Sequence, residues 1–204
     1  MRDKTGPARL LDAVAVMDHF HVIRLAGDAL ENSRRRVQHD SFGRRGMKGD
    51  PLYQARRTLL TGADLLTGKQ QARLEALFDD GWHAEVETTW AVYQDMITAY
   101  REKDRSLGWF FLQHTIHRIT TGVPDQLLEV RKLARTLTRR AADVLGYFDR
   151  PGTSNGPAEA INGRLEHLRG SALGFRNLTH YITRALLEAG GFRPNYTLIC
   201  EEPS

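Results

Sequence analysis

A mainly α-helical fold with a single strand near residues 13–17 is what this sequence predicts. Three observations carry the prediction. Apolar residues recur at helical spacing along most of the chain. Glycine- and proline-containing stretches punctuate those periodic segments. Only one short run, Ala13 to Met17, is valine-rich and dense enough in apolar residues to suit a buried strand.

The elements follow in order. The strand ends at Asp18. From His21 the period becomes helical, with Val22, Leu25, Ala26, Ala29, Leu30 and Val37 on one face. Arg34, Arg35 and Arg36 fall near the C-terminal end of this helix, where positive charge suits the dipole. Gly43, Gly46 and Gly49 mark a loop, and Pro51 can open the next helix. Thr67 followed by Gln70 is a capping-box pattern. Val86, Trp90, Tyr93 and Ile97 repeat at helical spacing, and 107–119 reads as a further helix. Pro124 is expected to open one long helix running through Phe148. D-R-P-G-T-S-N-G at 149–156 is a turn-rich linker. A helix over 157–169 follows. Asn177 can cap the last helix, with Tyr181, Ile182, Ala185 and Leu186 facing inward.

Composition bounds the function. The 204 residues are 41% hydrophobic, enough to bury a core. No apolar run approaches the roughly 18 residues of a membrane span, and Met1 to Leu10 lacks a signal-like stretch, so a cytoplasmic location without membrane contact is expected. Cys200 is the only cysteine, so no intrachain disulfide can form. The formal charge of +4 permits nucleic-acid binding without requiring it. Basic residues cluster at Arg34–Arg36, at Arg44, Arg45 and Lys48, at Arg56 and Arg57, and at Arg131, Lys132, Arg135, Arg139 and Arg140. Each cluster taken alone also reads as a solvated helix face.

Few residues offer chemistry. Asp18 sits at the C-terminal edge of the expected strand, where sites in open sheets gather. It can equally serve as the N-cap of the next helix. Glu159 falls in the first turn of the 157–169 helix, where a carboxylate also complements the dipole. Arg164 and Arg169 give that helix a basic side. His21 is expected to pack or hydrogen-bond, and His114 with His117 to be a coincidence of helix spacing. Phosphate loops, nucleophile elbows and C-x-x-C pairs have no match, which argues against P-loop enzymes, serine hydrolases and zinc fingers.

Two segments taken together point further. Residues 16–25 read V-M-D-H-F-H-V-I-R-L, and residues 154–162 read S-N-G-P-A-E-A-I-N. With Y-F-D at 147–149, G-F-R-N at 174–177 and the arginine-rich stretch from Arg34 to Leu52, the chain resembles transposases of the insertion-sequence "L-three" family. These are DDE-type enzymes with an RNase H-like core. The resemblance covers roughly residues 12–194.

The resemblance implies that Asp18 is the second carboxylate of the catalytic triad and Glu159 the third. Both would ligate a pair of Mg²⁺ or Mn²⁺ ions, whose hard character suits carboxylate oxygens. It implies residues 1–40 as a remnant of the RNase H-like α/β core carrying Asp18, and 41–150 as a large all-helical insertion. Residues 151–194 would be core helices carrying Glu159, and 195–204 a tail. DNA at transposon ends is the implied partner, contacted by Arg34, Arg35, Arg36, Arg44, Arg45, Lys48, Arg164 and Arg169. A second copy of the chain or an intact transposase is a further possible partner, in a bacterial cytoplasm. The family's first aspartate lies on an earlier strand, and Asp3 stands too near Asp18 to match it. A truncated, inactive copy is therefore expected. The alternative is a non-catalytic helical fragment that binds DNA or a transposase.

Overall fold

The computed structural model describes residues 15–79, 81–150, 152, 156–171 and 176–189. Among the described residues the regular elements are α-helices, joined at one point by a short 3-10 turn, Ala63–Leu65. The chain divides into two compact units, 1–153 and 154–204.

In the first unit, α1 (His19–Phe42) forms because Val22, Ala26, Ala29, Leu30 and Val37 recur on one face and are buried together. Asp18 caps its start by accepting a hydrogen bond from the Phe20 N–H at 3.0 Å. Gly43 ends it in the left-handed region, φ 62°, and donates its N–H to the His39 carbonyl. The helices α2 (Pro51–Leu59), α3 (Gly68–Phe78), α4 (Ala84–Arg101) and α5 (Arg105–Thr121) follow. Pro51 lies in the first turn of α2, and Thr67 with Gln70 makes the capping box expected for α3. α4 lies between α1 and α5 and packs on both. Val22, Leu30, Val86, Met96, Leu112 and Leu137 are among the least exposed residues of the core. Gly108 allows the close crossing of α4 and α5: a Cβ there would stand 2.6 Å from the Ala99 carbonyl oxygen.

Three expectations need correction. Residues 15–17 form no strand, while 13 and 14 lie outside the described residues. A strand needs a partner to satisfy its backbone, and no strand lies beside it among the described residues. Instead the Met17 N–H donates to the Asp143 carbonyl at 2.8 Å, and the buried Met17 side chain joins the helical core.

The expected helix from Pro124 to Phe148 is two: α6 (Leu128–Arg139) and α7 (Ala141–Asp149). Pro124 stands in the preceding turn, its carbonyl accepting from the Leu127 N–H. At the break the Arg140 N–H is shared between the Thr136 and Leu137 carbonyls. The bend lets α7 pack on α5 and brings Phe148 into a stack with Tyr100, centroids 5.2 Å apart.

The second unit holds α8 (Gly156–Ser171) and α9 (Leu178–Ala189), which pack together. Asn177 caps α9, its side-chain oxygen accepting from the Thr179 and His180 N–H groups. Ile182 and Leu186, expected to face inward, are 47% and 66% exposed. Among the described residues of this unit α9 has one neighbouring helix, which covers only part of its apolar stripe.

Candidate functional site

Asp18 is 8% exposed, and its position follows from the end of the 15–18 segment meeting the start of α1. Its Oδ1 accepts from Phe20 N–H and lies 2.9 Å from His19 Nδ1. The His19 ring leans on Tyr147 and Tyr100, with centroids 5.2 and 6.0 Å away. Arg105 donates to the Phe148 and Tyr147 carbonyls and so holds the end of α7 against α5. The His19 ring thus joins the carboxylate to an aromatic cluster that includes Tyr100, Tyr147 and Phe148. The Tyr100 hydroxyl is buried there without a hydrogen-bond partner among the described residues. Burial, reinforced by Tyr147 and by the Asp18 charge, pushes its phenol above the ordinary range. His21, expected to pack or hydrogen-bond, is exposed, with its ring edge-on to Phe20 at 6.4 Å between centroids.

Glu159 is exposed in the first turn of α8. Asn162 and Arg164 are exposed on the same helix, and Arg169 pairs with Glu166 at 3.1 Å. Asp18 belongs to the first unit and Glu159 to the second. Among the described residues no three metal-ligating side chains gather into one group. The donors fit divalent ions in kind, since both are carboxylates.

The arginines expected at DNA separate by environment. Arg34 is 5% exposed; its Nε and Nη2 donate to the Glu31 carboxylate at 2.8 and 2.7 Å, and its Nη1 donates to Gln38 at 2.9 Å. Burial opposes the Glu31 charge, but hydrogen bonds from Arg34 and Arg35 outweigh it and hold that carboxyl below its usual value. Gln38 donates onward to Asp50, which also takes two bonds from Arg44 and one from the Met47 N–H. A continuous network thus fastens the glycine-rich loop to α1. Arg36 joins three helices by donating to Glu129 on α6 and Glu85 on α4, and Glu129 is the main reason its guanidinium is held still more firmly protonated. Arg35 is exposed but shares Glu31. Arg45, Lys48 and Arg164 are exposed without a side-chain partner among the described residues. Arg131, Lys132, Arg135 and Arg139, from a cluster that the sequence also offers to DNA, lie on α6 opposite its buried stripe of Val130, Leu133, Ala134 and Leu137.

Asp50 yields a pH prediction. Arg44 chiefly, then the Met47 N–H and Gln38, pull its carboxyl down to about 2. Its folded value lies below its unfolded one, so its contribution is complete above the ordinary carboxylate range and disappears as pH falls from about 4 through about 2. Asp50→Asn should flatten the thermal-stability profile over that window. An unchanged acid slope in the variant would contradict the network.

A family model described as a transposase, of the DDE "L-three" insertion-sequence type, matches residues 8–185. The match spans most of the chain and takes in Asp18 and Glu159. The chain therefore belongs to this transposase family. No significant match was found among curated proteins or solved structures.

Proposed function

We propose that the chain serves DNA transposition as a DDE-type strand-transfer protein, with Asp18 and Glu159 as two of its metal-binding carboxylates. The observation that carries this reading is a family match that takes in both acidic motifs. In such chemistry a pair of divalent ions, when bound, activates the attacking oxygen and stabilises the leaving one. The chain's own part is narrower. Asp18 would present its carboxylate from the rigid start of α1, and Glu159 from the first turn of α8. Exposed cations would hold DNA phosphates in register.

Two carboxylates offset only two of the four positive charges of an ion pair, so strand transfer would need at least one further carboxylate. A second reading, a non-catalytic DNA-binding or transposase-interacting fragment, draws on one observation: Asp18 Oδ1 already serves as a helix cap.

Mn²⁺ binding followed by electron paramagnetic resonance separates the two. Wild type should take up the ion, and Glu159→Gln should weaken it about tenfold, near 1.4 kcal/mol. The loss is modest because Glu159 is exposed and its charge is screened by solvent. Equal affinity in the variant would favour the non-catalytic reading.

A further inference from the structure

We propose that the groove between α5 and α6, bordered by Lys132, Arg135 and Arg139, seats the phosphate backbone of duplex DNA. The inference deepens the transposase reading and rests on DNA being the partner.

The helix itself creates this face. α6 buries Val130, Leu133, Ala134 and Leu137, so 131, 132, 135, 138 and 139 are turned outward. Lys132, Arg135 and Arg139 are exposed, and none of their side chains has a hydrogen-bond or ion-pair partner among the described residues. That separates them from Arg34 and Arg36, whose guanidinium groups are already engaged by carboxylates. The groove has a volume of about 820 Å³ and is also lined by the hydroxyl-bearing Thr120 and Thr138, whose oxygens are 3.0 Å apart. Its lining includes one carboxylate, Asp125, which is paired with Arg131 at 2.6 Å.

Cations and hydroxyls are the groups that contact phosphate oxygens. From Lys132 to Arg139 the helix rises about 10 Å. Measured along the duplex axis, that distance covers roughly three phosphates of one strand. An anionic membrane would call for apolar side chains beside the cations, and Leu128 is the one exposed large apolar residue lining the groove.

The test is fluorescence anisotropy of the full chain with a labelled random-sequence duplex across a sodium chloride series. The combined variant Lys132→Ala, Arg135→Ala, Arg139→Ala should bind more weakly at low salt. Its slope of log affinity against log salt should fall by up to about 2.7 units, near 0.9 for each phosphate that is no longer neutralised. The corresponding glutamine variant should behave alike, with unchanged helix content by circular dichroism. Arg57→Ala, Lys69→Ala, Lys103→Ala removes the same charge from exposed positions elsewhere and should leave the slope near wild type. Equal slope losses in the two combined variants, or none in the first, would overturn the groove while leaving DNA as the partner. A wild-type chain that binds no duplex at low salt would overturn the reading beneath it too. Groove-dependent binding to phosphatidylserine vesicles in place of DNA would identify a membrane surface and overturn the proposal.

Discussion

Arg34→Ala lowers the unfolding free energy by about 3–5 kcal/mol, the scale expected when one partner of a buried ion pair is removed. The side chain is 5% exposed and makes three hydrogen bonds. Its removal strands the Glu31 carboxylate beside one remaining arginine and leaves the side-chain Oε1 of Gln38, a residue 2% exposed, without its donor. Arg34→Lys should recover only part of the stability, because an ammonium cannot span Glu31 and Gln38 with the fixed fork of a guanidinium. Urea denaturation measures the effect. The same variant, held under folding conditions, should keep the wild-type salt slope for DNA. A stable Arg34→Ala with a reduced slope would mean that the arginine reaches phosphate instead of its neighbours in the helix.

Asp18→Asn and Asp18→Ala should part company in stability and agree in metal affinity. Asparagine caps helices about as well as aspartate, so Asp18→Asn keeps the bond to the Phe20 N–H and unfolds near the wild-type midpoint. Alanine loses the cap and about 1 kcal/mol with it. Both remove the charge, and both should weaken Mn²⁺ binding about 100-fold, or near 2.7 kcal/mol. This exceeds the effect at Glu159 because Asp18 is nearly buried, where charge interactions are less screened. Calorimetric unfolding and metal titration on the same three proteins provide the comparison. Full Mn²⁺ affinity in Asp18→Asn would reduce Asp18 to a helix cap and remove it from the proposed site.

Local features were legible in advance, and the reason is local. Thr67 and Gln70 satisfy one another's backbone within a single turn, as Asn177 does for α9, so neighbouring residues suffice to read them. The capping role of Asp18 was legible in the same way, as one of two readings, whereas the two acidic motifs were read through resemblance to a family. The break at Arg140 was not, because the apolar pattern of α6 continues into α7 and the bend answers to packing on α5 and Tyr100. The Ala13–Met17 run looked like a strand because valine content does not reveal whether a partner strand exists. Within 15–17 the chain turns its backbone to Asp143 instead.

By itself the sequence determined the helical class, the principal caps and the two carboxylate motifs, since each depends on residues within a few positions of one another. Only the tertiary structure decided which basic residues face solvent. Arg36 looked as available as Lys132, but folding brings Glu85 and Glu129 to it from distant helices, while Lys132, Arg135 and Arg139 meet no carboxylate among the described residues. The fate of a charge is set by its neighbours in space, and for these arginines those neighbours lie far along the chain.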